Sequence, residues 1–436
     1  MSPRSGKTEQ LLHAIDRKLG AHKGAERVWL EGRRLAEAGF TQGVRYQLSP
    51  LDGALELRLS KAGSHKVSAK DGRPVVDVLT HALGAVERVQ VRFYPGEIRV
   101  QLHPLDAAVR ARLSRLNGRL GAGQPLRLGS LCHGGGIAAN ALLRGLGNAE
   151  LAFAVERDGG YLAQSLAHNP ATTQGAVTLE ADLGDIDARE LPECDVLEAG
   201  LPCVSASRAG RSKKHLDRPE QDVTADLVVA FCDVVRATQP AVVVLENVPE
   251  YADSASADII RRYLGRLGYT IREELVDGAA WSLEARQRWI MVATTRGLEL
   301  ELALTPGERP ATLGEVLDAR TPADAWRRFA HLDRKSAQDK AKGNRFQQRV
   351  LTPSATSVPT LRRGYQKAGS TDPRLAHPSR PGYSRLLSPA EHARIKGVPP
   401  ALVSGLAATT AHEILGQSVI APSFVALGAA IAASVR

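Results

Sequence analysis

Leu126-Arg-Leu-Gly-Ser-Leu131, then Cys132-His133-Gly134-Gly135-Gly136, then Ile137-Ala-Ala-Asn-Ala-Leu-Leu143 is the stretch on which the architecture turns. A short apolar run reads as a strand, three glycines as a tight turn, and the apolar stretch after them as a helix. Glycines at a strand-to-helix turn let the backbone approach a ligand closely, and the helix start offers free N–H groups. The turn holds no phosphate-loop lysine, so it suits an adenosine ligand better than a nucleoside triphosphate.

Four further apolar runs read as strands, at 151–155, 196–198, 242–245 and 289–293. Helical stretches such as 159–168 and 222–238 lie between them. This alternation predicts an α/β fold with a doubly wound, Rossmann-like sheet, whose ligand crevice lies at the strand C-termini. The second strand ends at Glu156, where a carboxylate can bind ribose hydroxyls.

Around this block three other segments are expected. Residues 1–124 alternate short apolar runs with turns, including Val89–Phe93, Tyr94-Pro95-Gly96-Glu97 and Ile98–Leu102, which read as a hairpin. They predict a small, basic, mostly β domain. The α/β block is placed at 125–295. Residues 296–384 lose the periodicity and are rich in Pro, Gly, Arg, Lys, Ser and Thr, with scattered aromatics such as Trp326 and Phe329. Residues 385–436 return to helical spacing.

The charge distribution follows the same divisions. The net charge is +10. Residues 1–125 carry +9 and 300–385 carry +8, flanking an acidic block at 126–299 that carries −8. Basic flanks suit a polyanion such as DNA. Four cysteines (Cys132, Cys194, Cys203, Cys232) show no metal-ligand spacing, so no metal site is expected, and they fit a reducing compartment. The N-terminus lacks the apolar core of a signal peptide. The apolar end at 424–435 is short and rich in Ala and Gly, and reads as a packed helix with no membrane partner. The expected location is cytoplasmic, on the nucleoid.

The chemistry-bearing residues are Pro202-Cys203 and Glu246-Asn247-Val248. Cys203 follows a strand, and the stretch after it, at 204–215, is small, polar and basic. Nearby positive charge favours a thiolate. Glu246 ends the run Ala241-Val-Val-Val-Leu245, where a carboxylate is costly unless it faces a crevice or is paired, with Arg286 or Arg288 for instance. A thiolate and an acid acting on one ring suit carbon 5 of cytosine, which becomes nucleophilic once carbon 6 is attacked and N3 is protonated.

Taken in order, these pieces resemble the DNA (cytosine-5)-methyltransferase family. Ser130-Leu-Cys-His-Gly-Gly-Gly136 resembles its Gly-rich S-adenosylmethionine loop, Glu156 its ribose-binding acid and Asp182 its adenine contact. Pro202-Cys203 is similar to the Pro-Cys nucleophile motif, and Glu246-Asn247-Val248 to the Glu-Asn-Val motif. Glu284-Ala-Arg286-Gln-Arg288 resembles the Gln-x-Arg-x-Arg motif. The stretch Arg385 to Gly397 resembles the helix supporting the recognition domain, and Gly416-Gln417-Ser418-Val419 the closing Gly-Asn-x-Val motif. The chain departs from the family pattern at four positions. Cys132 stands for a phenylalanine over the adenine, Val204 and Glu284 each for a glutamine, and Gln417 for an asparagine.

The resemblance implies an S-adenosylmethionine-dependent enzyme without a metal. Cys203 would attack carbon 6, Glu246 would protonate N3, and Arg286 and Arg288 would hold the base O2 and brace the acid. Cys132, Gly134, Gly136, Glu156, Asp182, Pro202, Gln417 and Ser418 would hold the cofactor. The target cytosine would flip from double-stranded DNA, with Ser207, Arg208 and Arg211 on a loop closing over it. Residues 296–384 would be the target-recognition domain, where Arg345, Gln347, Gln348, Arg362, Arg363 and Lys367 are the candidate DNA contacts. A cognate restriction endonuclease is an implied partner. The N-terminal segment resembles, more loosely, the small β domain of SymE-type toxins and AbrB-type DNA-binding proteins. A basic dimeric DNA-binding module and a structural cap are its two readings. Two rival functions stand beside the lead: a tRNA cytosine-5 methyltransferase of the same fold, and a DNA-binding repressor without activity.

Overall fold

The computed structural model describes residues 10–435, apart from 23, 52, 84, 85, 87, 171–174, 203–225 and 344–347. Cys203, Ser207, Arg208, Arg211, Arg345 and Gln347 lie outside the described residues. The chain divides into two compact units, Met1–Ala111 and Arg112–Arg436. The division falls inside the helix Pro104–Gly121.

The first unit is β-rich. One antiparallel sheet runs in the order His13–Lys18, Arg88–Tyr94, Glu97–Leu102, Ala54–Leu59, Arg45–Leu51, His65–Lys66. A second contains Gly20–His22, Ala25–Glu31, Arg73–Thr80 and Ser68–Lys70. Alternate residues of both sheets, among them Val28, Leu30, Leu57, Val91 and Ile98, form one core with Phe40. The expected hairpin pairs Tyr94 with Glu97 across Pro95-Gly96. Gly96 takes φ 78°, a conformation that favours glycine.

The second unit is built on seven strands: β1 (Leu126–Leu131), β2 (Ala149–Glu156), β3 (Val177–Glu180), β4 (Val196–Ala199), β5 (Val242–Asn247), β6 (Tyr269–Asp277) and β7 (Gln287–Thr295). Their order in the sheet is 3-2-1-4-5-7-6. The first five are parallel, and β7 runs antiparallel to both β5 and β6. Burial on both faces explains why β5 reads as an unbroken run of Val and Leu instead of an alternation.

Helices α1 (Ile137–Leu146), α2 (Gly159–His168), α3 (Leu227–Thr238) and α4 (Ala255–Arg266) follow strands of this sheet. Helices α5 (Pro389–Ile395), α6 (Ala408–Gln417) and α7 (Ala421–Ser434) come from the C-terminal segment. Local sequence sets the starts of several. Asp158 caps α2 by accepting the N–H groups of Gly160 and Tyr161, and Ser388 with Glu391 forms a capping box on α5.

Helix α7 lies against α1 with glycine opposite glycine. A Cβ on Gly428 would sit 2.5 Å from the Leu142 carbonyl oxygen, and one on Gly145 would sit 2.0 Å from that of Val425. The Ala and Gly content of the C-terminal segment therefore serves close backbone packing. Among the described residues no single helix is long and apolar enough to cross a membrane.

Between β7 and α5 the chain carries little regular structure. The helix Ala330–Ala341 and a small sheet of Val350–Leu351, Arg374–Ala376 and Ser384–Arg385 are its main elements. Leu313, Val316, Val358, Leu361, Tyr365 and Leu375 form its core, together with Ile395 of α5. Phe329 and Tyr365 are packing residues: Phe329 lies beneath the guanidinium groups of Arg327 and Arg374, at 4.8 and 4.3 Å from the ring centre, and Tyr365 is fully buried.

Candidate active site

A cavity of about 1160 Å³ opens at the C-terminal ends of β1, β2, β4 and β5. Cys132, Gly134, Glu156, Asp182, Pro202, Glu246, Arg286, Arg288, Gln417 and Ser418 all line it, as do Arg362 and Arg363 from the irregular segment. Gly136 stands behind the wall as the N-cap of α1 at φ 71°, packed against His133, Ser165 and Asn169.

The turn after β1 is held in shape by the end of β2. Glu156 accepts the Gly134 N–H at 2.7 Å and the Asp158 N–H at 2.9 Å, so the acid braces the turn as well as facing the cavity. Gly134 takes φ 56° and Cys132 takes φ 54°. Burial first, and then the charges of Glu156 and Glu198, push the Cys132 thiol up to about 12, which keeps it protonated. Asp182 accepts the Gly184 N–H at 3.1 Å and lies 3.6 Å from Arg157.

Glu246 is next to last in β5, with Oε1 ion-paired to Nε of Arg288 on neighbouring β7. A Cβ on Gly200 would lie 3.8 Å from its other oxygen, so Oε2 faces the segment leading to Pro202. Asn247 is buried. Its Nδ2 donates to the Leu201 carbonyl at 3.1 Å, and its Oδ1 accepts the Val248 N–H at 2.9 Å. The Glu-Asn-Val segment thus presents the acid with one residue and ties down the approach to Pro202 with the next.

Arg286 has a different place from Arg288. Its Nη1 donates to the Gly416 carbonyl at 2.9 Å and lies 3.6 Å from Glu284. Lys396, fully buried, pairs with Glu284 at 3.0 Å and donates to the Ser418 carbonyl at 3.0 Å. Two cations therefore hold the carbonyls on either side of Gln417, whose side-chain nitrogen would lie 3.7 Å from a Cβ on Gly134.

Burial pushes Lys396 down to about 7, with Arg286 acting in the same direction and Glu284 opposing. Burial pulls Glu284 upward, but Lys396 and Arg286 together outweigh it and hold the carboxyl below its usual range. Sequence reading missed Lys396, because nothing in Arg394-Ile-Lys-Gly397 marks the lysine as internal.

The candidate DNA contacts fall into two groups. Arg362 makes a two-pronged bond to Asp372, 2.9 Å on each side, and Gln348 joins Asp333 to Arg374. These side chains already serve the segment's own structure. Arg363 is exposed, with its guanidinium 5.5 Å from the Tyr161 ring centre, and Lys367 is exposed at the end of a short turn of helix.

Strand order, glycine turn and acid at the end of β2 define a Rossmann-like S-adenosylmethionine-dependent methyltransferase fold. The sequence model for C-5 cytosine-specific DNA methylases matches residues 137–433, and the chain belongs to that family. The DNA-cytosine methyltransferase of Escherichia coli K12 is 29% identical over 291 residues, covering 55% of this chain and 60% of that protein. The type II methyltransferase M.NlaX of Neisseria lactamica is 23% identical over 258 residues, 57% of this chain and 79% of that one. Among solved structures, S. pombe Dnmt2 methyltransferase superposes with a TM-score of 0.54 at 17% identity, covering 70% of this chain and 97% of that one. The Entamoeba histolytica methyltransferase EhMeth does so with 0.58 at 15%, covering 71% and 98%. At these identities the structural likeness speaks to the fold.

Proposed function

We propose that the protein transfers a methyl group from S-adenosylmethionine to carbon 5 of a flipped-out cytosine in double-stranded DNA, at a specific short sequence. The observation that carries this reading is the Glu246–Arg288 pair, set in the same cavity as Pro202 and the glycine turn braced by Glu156. The cofactor supplies an electrophilic methyl group when bound. Cys203, next in sequence to Pro202, adds its thiolate to carbon 6 of the ring. Glu246 gives a proton to N3, and Arg288 fixes the carboxyl and faces the base O2. The negative charge that addition would otherwise build on the ring is thereby neutralised. After methylation a base takes the carbon-5 proton, the C–H electron pair re-forms the carbon 5–carbon 6 double bond, and the thiolate is expelled from carbon 6.

The positively charged segment between β7 and α5 reads the target, and Ser207, Arg208 and Arg211 contact the DNA around the flipped base. The basic N-terminal unit adds a further duplex contact or a dimer contact. A nuclease of the same target specificity is the expected companion, and the nucleoid in the cytoplasm the expected location.

The test is base-resolution methylation sequencing of a methylation-free bacterial host expressing the protein, beside a Cys203→Ala strain. 5-Methylcytosine at one short motif, absent in the variant, is the expected result. Its absence from DNA, with 5-methylcytosine appearing in tRNA, would transfer the activity to RNA.

A further inference from the structure

Five carboxyl groups line the cavity, and four have clear engagements within the protein, Asp158 with the Gly160 and Tyr161 N–H groups among them. Glu156 holds two backbone N–H groups, Asp182 faces Arg157, and Glu246 is paired with Arg288. Glu198 on β4 is different. It is only 4% exposed, and among the described residues its carboxyl receives one hydrogen bond, from the Ser130 hydroxyl at 2.6 Å, and has no cationic partner. A buried carboxyl without a cation is an expensive group for a fold to keep.

The groups behind it are arranged to serve it as an acceptor. Ser130 has one hydroxyl proton. When Ser130 gives that proton to Glu198, the 2.8 Å contact between Ser130 Oγ and His133 Nδ1 must be a donation from the ring. His133 Nε2 then accepts from Ser165, also at 2.8 Å. The imidazole is buried, and burial lowers its pKa to about 4, so it stays neutral and can play both parts. The chain Ser165, His133, Ser130, Glu198 thus presents a proton donor to the carboxyl group at the cavity wall.

Position within the sheet says which part of a ligand would meet that carboxylate. Glu156 and Asp182 stand at the β2 and β3 side, and Glu246 at the β5 side. Glu198 lies between them, on the strand hydrogen-bonded to both β1 and β5. A ligand whose ribose is held at β2 and whose methyl group must reach the base beside Glu246 passes its amino-acid portion over this middle ground.

We propose that Glu198 is the counter-charge for the α-ammonium group of the cofactor's amino-acid portion. The proposal rests on the methyltransferase reading. Burial, opposed by the Ser130 bond and aided by the charge of Glu246, lifts the carboxyl to about 7. An ammonium ion would reverse that penalty and favour the carboxylate.

The experiment compares S-adenosylhomocysteine with 5′-methylthioadenosine, which keeps the adenosine and sulfur but lacks the ammonium group, by calorimetric titration of the full chain. Glu198→Gln should weaken S-adenosylhomocysteine binding by about 10- to 100-fold, the worth of a charged hydrogen bond, and leave 5′-methylthioadenosine within about twofold. Unchanged binding of the latter also shows that the variant is folded. Equal losses for both ligands, or no loss for the first, overturn the proposal. A second measurement needs no variant: at pH 7 the wild-type protein should release protons on binding S-adenosylhomocysteine beyond any released with 5′-methylthioadenosine, read from titrations in buffers of different ionisation enthalpy. Equal proton release with the two ligands also overturns it. If the wild-type protein binds neither ligand, the methyltransferase reading itself falls, and this proposal with it.

Discussion

Glu284 and Lys396 form an ion pair 3.0 Å long in which neither side chain has any solvent exposure. The pair joins three pieces of chain. Glu284 accepts the Leu361 N–H at 2.7 Å from the irregular segment, and Lys396 holds the Ser418 carbonyl at the cavity wall. Beside it, Arg286 holds Gly416. A Cβ on Gly416 would lie 2.4 Å from the backbone of Arg362 and Arg363, so the proposed recognition segment and the proposed cofactor wall touch backbone to backbone at this joint.

Breaking this pair from one side should cost far more than removing it. Glu284→Gln leaves a buried ammonium beside Arg286 and is expected to lower unfolding free energy by about 3–5 kcal/mol, while the double variant Glu284→Gln/Lys396→Gln should return to within about 2 kcal/mol of wild type. The pH dependence follows from Lys396. Its folded value of about 7 lies below its ordinary 10.5. The unfolded chain therefore binds more protons in that window, and stability rises with pH across it. Without Glu284 the folded value drops further and the window opens at lower pH, so the loss in Glu284→Gln should shrink as pH is raised from about 5 to about 7. Urea unfolding at several pH values checks both statements.

Glu246 and Arg288 should behave as one unit in the reaction. Glu246→Gln keeps the shape but removes the transferable proton, and is expected to slow methyl transfer by about 10²- to 10⁴-fold. The affinity for S-adenosylhomocysteine should barely change, because Glu246 stands on β5, away from Glu156 and Asp182 at the β2 and β3 side of the cavity. Arg288→Ala should slow the same step, and the double variant should be little worse than the poorer single one. Single-turnover methyl transfer beside cofactor titration reads the two effects separately. A loss confined to cofactor affinity would assign Glu246 to binding.

The parts of this architecture that could be read in advance are those where burial imposes a local pattern. β1, β2, β4, β5 and β7 are buried on both faces and appear as apolar runs, and α2 has the residues 159–168 that its spacing predicts. β6 was not legible. It is an edge strand with charges at Arg272, Glu273 and Glu274 and only Tyr269 and Val276 buried, so its sequence resembles a loop. Glu156, Glu246 and Arg288 stood out because their positions relative to strand ends suit an ordered series of motifs. Glu198 and Lys396 did not, because their meaning depends on partners supplied by other elements. Arg286 and Gly416, 130 positions apart, could be joined only by the fold.

Packing of α7 on α1 yields a prediction independent of catalysis. Gly145→Ala places a methyl group 2.0 Å from the Val425 carbonyl, with the Ala429 nitrogen and Gly428 Cα each 2.9 Å away. The helices must separate, at a cost of about 1–3 kcal/mol. Gly265→Ala near the end of α4 meets nothing within 4 Å, and should be neutral or slightly stabilising. Thermal unfolding of the two variants should move in different directions. Equal behaviour would mean that α7 does not seat on α1 in this way.

Arg362, Arg363 and Lys367 are close in sequence but should fail differently when removed. Arg362 is bound on two sides to Asp372, which is itself 1% exposed and also accepts the Gly369 N–H. Arg362→Ala strips a buried carboxylate of its cation and should lower stability by about 1–3 kcal/mol. Arg363 and Lys367 are exposed, and on the proposed function they meet phosphates. The double variant Arg363→Ala/Lys367→Ala should keep wild-type stability and lose affinity for all duplex sequences alike. The slope of log affinity against log salt should become shallower by about 1.8, or 0.9 for each phosphate contact. Binding titrations at several salt concentrations, on target and random duplexes, separate this from base reading, which would relax preference at one position and leave the salt slope unchanged.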